Sequence, residues 1–207
     1  MHILSPQPNP LTSSHHRLIE VNLLALDLNT CTRCSGTLAN IEMAIETLRP
    51  ALEATGTEVR FTKTLIESEE QARRHQFVSS PTIRINGQDI VFETLESKCD
   101  ACTDLCGCEE GTNCRIWQYR GGDYTEAPVG LVVEALLKTM GAEADAPAAA
   151  PLFEGVPENL KRFFAGPSRA QAGASSCCSQ TEQESCCQPA EKNACCAEPN
   201  PAACGCR

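Results

Sequence analysis

Cys31 and Cys34 bound the motif CTRC, and thiols at that spacing serve either disulfide exchange or ligation of a soft ion. If the motif follows a strand and opens a helix, the first sulfur lies at the helix N-terminus. The dipole and the unpaired N–H groups there stabilise its thiolate. Arg33, between the two cysteines, adds a positive charge that acts in the same direction. These features make Cys31 the attacking thiolate and Cys34 the thiol that resolves a mixed disulfide. The plainer reading is a zinc-ligand pair or two incidental thiols.

A second group of thiols stands in CDACTDLCGCEEGTNC, at Cys99, Cys102, Cys106, Cys108 and Cys114. Four thiolates so closely spaced can surround a tetrahedral ion, and a structural zinc would fix a loop that has no core of its own. The fifth thiol exceeds what zinc needs, so disulfides or a soft ion such as Cu(I), Hg(II) or As(III) stand as alternatives. The spacing matches no common ferredoxin pattern. Asp100, Asp104, Glu109 and Glu110 would raise the thiol pKa values by repulsion unless a cation is present.

The third group is the repeat SSCCSQTEQESCCQPAEKNACCAEPNPAACGCR, with pairs at Cys177 and Cys178, Cys186 and Cys187, Cys195 and Cys196, and Cys204 and Cys206. Adjacent cysteines close a strained disulfide with each other but readily offer two thiolates to one ion. The nine-residue period spans at most about 30 Å, so the pairs can converge on a ligand or swing it toward Cys31 and Cys34. Residues 167–207 contain no Leu, Ile, Val or aromatic side chain, which predicts a tail disordered without a ligand. Paired cysteines also occur in arsenical-resistance metallochaperones, and the tail is similar to them in that one respect. A low-complexity end without chemistry is the alternative.

These thiols need elements to position them. HRLIEVNLLALDLN (16–29) has the make-up of a buried strand, and Leu38, Ile41, Ile45, Leu48 and Leu52 recur at helical spacing up to Gly56. A second strand is predicted over 57–66, a short helix over 67–77, and a hairpin over 79–95 around Asn86-Gly87. The stretch 97–114 reads as an irregular cysteine-rich insert, 115–119 as a strand, and the apolar run after Pro128 as a last helix. The first half is therefore a βαβ unit. The expected organisation is a flexible leader (1–15), a domain (16–140), a linker (141–155), a short amphipathic helix (156–166) and the tail (167–207).

A CxxC after the first strand, together with SSPTIRING leading the later hairpin, resembles the thioredoxin superfamily. The resemblance implies an α/β fold, a thioredoxin-like sheet flanked by helices, and a cis Pro81 lying against the CxxC. NTCTRC, SSPTIRINGQDI and CDACTDLCGC are also similar to blocks of a bacterial thioredoxin-like family known only as a domain of unknown function. That second resemblance implies a fold and little about activity.

The net charge of -10, with no basic stripe, argues against a nucleic-acid partner. The longest apolar stretch is far too short for a membrane span, and the N-terminus lacks the pattern of a signal peptide. A cytoplasmic chain would keep its fifteen cysteines mostly as reduced thiols for metal or redox use. His15, His16 and His75 sit in polar or charged surroundings and read as exposed. The expectation is a dithiol protein that binds thiophilic metal or metalloid ions, couples them to thiol–disulfide chemistry, and works with a redox-partner protein. The alternative is a thiol–disulfide oxidoreductase with a zinc-stabilised insert and an inert tail.

Overall fold

The computed structural model describes residues 17–142 and 152–167. The leader, residues 143–151 of the linker and the tail from residue 168 lie outside them, and with them Cys177, Cys178, Cys186, Cys187, Cys195, Cys196, Cys204 and Cys206.

β1 (Arg17–Ala25) runs through the middle of the first sheet and leads through a short loop into α1 (Thr32–Ala54), which returns the chain to β2 (Thr57–Leu65). β1 and β2 are parallel, as a crossover helix requires. Gly56, at φ +62, makes the turn between α1 and β2 in a conformation that favours glycine. α2 (Glu69–Arg74) is capped by Ser68, whose hydroxyl accepts from Gln71 N–H, and Glu69 and Glu70 complement its dipole. After a cis Ser80–Pro81 peptide, β3 (Thr82–Ile85) pairs antiparallel with β1 and turns back into β4 (Gln88–Asp89). Asn86 (φ 50) and Gly87 (φ 82) make that turn, both with the positive φ that a two-residue hairpin loop demands. The sheet order is β2-β1-β3-β4.

A second sheet follows. β5 (Leu95–Lys98), α3 (Asp100–Cys106), β6 (Asn113–Tyr119) and β7 (Gly122–Tyr124) lead to α4 (Val129–Gly141), and α5 (Glu158–Ala165) comes after residues 143–151. The second sheet has the order β5-β6-β7, so the described residues form a mixed α/β fold of two sheets and five helices. The stretch 97–114, expected to be irregular, contains α3. Cys99, Cys102 and Cys106 fall three and four residues apart, and cysteine behaves as a small hydrophobe, so these thiols are the helix's apolar stripe. Gly107, left-handed at φ 66, ends it.

Two bodies of buried side chains result. Ile41, Ala44, Leu48 and Leu52 of α1 pack with Ile19, Val21 and Leu23 of β1 and with Val132 and Leu136 of α4. At the C-terminal end of β1, Leu24, Leu26, Ile66, Phe77, Leu160 and Phe163 enclose the cysteines of both folded motifs. The two sheets are joined beside them. Arg115 N–H donates to Ser80 C=O at 2.7 Å, and the buried Arg115 guanidinium donates to both Asp89 carboxylate oxygens at 3.0 and 2.8 Å. Such a two-pronged pair fixes orientation as well as distance.

Candidate metal centre

The loop from β1 to α1 is organised by one carboxylate. Asp27 Oδ2 accepts from the N–H groups of Asn29, Thr30 and Cys31, at 3.1, 2.6 and 2.8 Å, and from the Thr30 hydroxyl at 2.8 Å. Burial opposes the Asp27 charge, but these bonds outweigh it and hold the carboxyl below its ordinary pKa. The loop delivers Cys31 to the N-cap of α1. Cys99 occupies the same position on α3, with its N–H donating to Thr112 C=O at 2.8 Å. Thr103 fastens the α3 turn by donating to Cys99 C=O at 2.8 Å and accepting from Thr112 N–H at 2.9 Å. Arg33 does not reach the sulfurs as a free charge. Its guanidinium donates to Ser97 Oγ (2.9 Å), Lys98 C=O (2.6 Å) and the Ser97 and Cys114 carbonyls (3.3 and 3.4 Å), strapping α1 to β5 and β6.

These supports bring four sulfurs together. The Sγ atoms of Cys31, Cys99, Cys102 and Cys114 all lie within 4.8 Å of one another, and all four residues are buried. Cys31 is 3.8 Å from Cys99 and 3.6 Å from Cys102, and Cys102 is 3.4 Å from Cys114. A tetrahedral ion with metal–sulfur bonds of about 2.3 Å sets its ligands about 3.8 Å apart. The donor set therefore fits a four-thiolate ion with little rearrangement, and these four cysteines can hold a metal ion. Two helix N-termini face the cluster, and their partial positive charge suits a site with more thiolate charge than a divalent ion cancels.

The thiols also polarise one another. Hydrogen bonds from Cys102, Cys114, Cys34 and Cys99 drive the Cys31 thiol far below its ordinary pKa. Bonds from Cys102 and Cys114 bring Cys99 down to about 7. Cys114 is pushed up by its bonds to Cys102, Cys31 and Cys99 and by burial. Cys102 gains some acidity from Cys114 but is raised overall by Cys31, Cys99 and burial. Cys31 and Cys99 are thus the more acidic of the four thiols, and Cys102 and Cys114 hold their protons more tightly. A divalent ion must displace those protons, so affinity should fall as pH is lowered. Calorimetric titration in buffers of different ionisation enthalpy should show proton release on zinc uptake near pH 7. Uptake without proton release would contradict this picture.

The other sequence-nominated thiols take different places. Cys34 is buried in the first turn of α1, with its Sγ 3.4 Å from Ser80 Oγ, beside the cis bond to Pro81. Cys106 and Cys108 are joined as a disulfide at the end of α3. Gly166, just past α5, sits so close to the Cys106 carbonyl and the Cys108 sulfur that a side chain there would collide with them. The two motifs read as separate in the sequence therefore meet, with Cys31 joining three of the five insert cysteines. One signal for this was available, because an insert with one C-x-C pair set aside has three thiols and lacks a fourth ligand. The roles of Asp27, Thr103 and Ser80 had no such signal.

No helix among the described residues is long and apolar enough to cross a membrane. No curated protein and no solved structure matches the chain. One family does match, over residues 19–136, a span that includes all the cysteines of both folded motifs and ends before α5. With more than half its length in that match, the chain belongs to the family described as Domain of unknown function (DUF2703).

Proposed function

We propose that the protein binds a thiophilic metal or metalloid ion and couples it to thiol–disulfide chemistry, in resistance or homeostasis. The observation that carries this reading is the double membership of Cys31. Its sulfur lies 3.8 and 3.6 Å from Cys99 and Cys102 as a ligand would, and it is also the first thiol of CTRC. The order β1-α1-β2, the CxxC opening α1 and the cis Pro81 support a thioredoxin-like arrangement around it. Four converging sulfurs favour zinc in the buried centre. The paired cysteines of the tail suit As(III), Cu(I) or Hg(II), and a tethered chelating arm would act on the folded dithiol at high effective concentration. The setting this reading takes is a reducing one, the cytoplasm.

A second reading draws on burial. All four candidate ligands are at most 4% exposed, and a closed four-ligand site is the form of a structural zinc. The protein would then be a thiol–disulfide oxidoreductase with an inert tail. Its CTRC would exchange disulfides only in the zinc-free state, because Cys31 cannot be a closed-site ligand and the attacking thiolate at once.

Anaerobic native mass spectrometry separates the two. The reduced full chain and a chain ending at Gly166 are titrated with Zn(II), Cu(I) and As(III). Both chains should hold one ion that Cys114→Ser loses, and only the full chain should take up several more As(III) or Cu(I). A single zinc in each chain and nothing further would favour the oxidoreductase. No tightly held ion in either chain would refute both.

A further inference from the structure

A four-coordinate centre made by Cys31, Cys99, Cys102 and Cys114 is complete without Cys34, yet Cys34 is fully buried against it. It lies in the same buried core as the four, with its Sγ 3.4 Å from Ser80 Oγ. The i, i+3 relation across a first helical turn sets the two Cβ atoms about 5–6 Å apart, so a bridge needs the N-cap residue Cys31 to shift by about 1–2 Å as well as side-chain rotation. The Cys34 N–H and Ser35 N–H already bond to the Cys31 carbonyl, at 3.1 and 3.0 Å, so the turn that would carry such a bridge is formed.

We propose that Cys34 discharges the metal centre: a Cys31–Cys34 disulfide withdraws Cys31 from the ion, so bound metal and oxidised CTRC exclude each other. This rests on the four-thiolate reading and adds its regulation. The co-reactant is a low-molecular-weight disulfide. One sulfur–sulfur bond forms between Cys31 and Cys34 and one breaks in the co-reactant. The two cysteines are oxidised by two electrons, and the co-reactant leaves as two thiolates. The Cys34 proton passes to solvent, and the Cys31 thiolate is the ligand lost.

Three thiolates then face the ion inside a buried core whose large side chains, Leu26, Phe77, Leu160 and Phe163 among them, are hydrocarbon. A closed site of that kind holds zinc through four ligands, so the three-thiolate state releases it. Access for the co-reactant lies above Cys31, where Asn29, Thr30 and Thr32 are exposed. Reduction of the disulfide restores the fourth ligand, and the cycle needs no other residue to move between partners.

The test uses the full chain loaded anaerobically with zinc and treated with graded oxidised glutathione. Zinc release is followed with a chromophoric chelator, and disulfides are mapped by peptide mass spectrometry. Cys34→Ser and Cys34→Ala are run beside the wild type, with the tail thiols present in every sample. The wild type should lose its tail-independent zinc in step with the Cys31–Cys34 linkage, and both variants should load zinc but release it about tenfold or more slowly. Release from both variants at the wild-type rate would overturn the proposal and leave the centre standing, as would a first disulfide that excludes Cys34. Variants that fail to load zinc would make Cys34 part of the centre itself, which also overturns it. A wild type that never loads zinc would remove the four-thiolate reading along with this one.

Discussion

Replacing Cys102 with serine is expected to lower the melting temperature of the zinc-loaded protein by about 8–16 °C. Cys102 links two other members of the sulfur cluster, lying 3.6 Å from Cys31 and 3.4 Å from Cys114, and it is fully buried. An ion that binds only the native state at about a thousand times its dissociation constant adds about 4 kcal/mol. For a chain of this size each kcal/mol moves the midpoint by roughly 2–4 °C, which gives the range. A hydroxyl is only slightly smaller than a thiol but is a poor ligand for a soft ion, so most of the loss should be lost ion binding. Wild-type protein stripped by a chelator should therefore melt close to the variant, and zinc should raise only the wild type. A wild-type midpoint that a chelator leaves unmoved would sink the idea that the cluster holds an ion.

The parts of this arrangement that sequence could anticipate are those set by local patterning. The β1-α1-β2 unit followed from a strand-like run, a helical repeat of Leu and Ile and a terminating Gly56, and Asn86-Gly87 marked its hairpin through the φ values that turn needs. The N-cap position of Cys31 followed from CTRC standing between a strand and a helical repeat. The joint site was not legible in the same way. Cys31 and Cys99 are 68 residues apart in sequence, and nothing in either motif names the other. They meet because Arg115 N–H bonds Ser80 C=O and the Arg33 guanidinium bonds the β5 and β6 backbone, and these contacts exist only once both sheets have formed. α3 was hidden for a different reason. Its apolar face is made of cysteines, which read as ligands before they read as core.

Replacing Phe163 with alanine should speed extraction of the ion by a chelator about a hundredfold or more while changing the main melting transition far less than Cys102→Ser does. α5 has eight residues, too few for a helix to persist in water alone, so docking must hold it. That docking consists of Leu160 and Phe163 buried in the cysteine-bearing core, and of Asn159, which accepts from Asn113 N–H and donates to Asn113 C=O, each at 2.9 Å. The Arg162–Glu110 ion pair lies at the surface and adds little. Deleting a buried phenylalanine costs about 3–5 kcal/mol, more than so short a contact can spare. The helix should therefore leave its seat while both sheets stay folded, which opens the cysteine-bearing core that Leu160 and Phe163 help to fill. At about 1.4 kcal/mol per factor of ten, the same cost sets the size of the acceleration if the ion escapes on this side. Hydrogen exchange over 157–166 should rise in step with extraction. Extraction that stays at the wild-type rate while exchange rises would put the ion's route elsewhere, at the Asp27-bound loop beneath Asn29 and Thr30. There the first sulfur to meet solvent is Cys31.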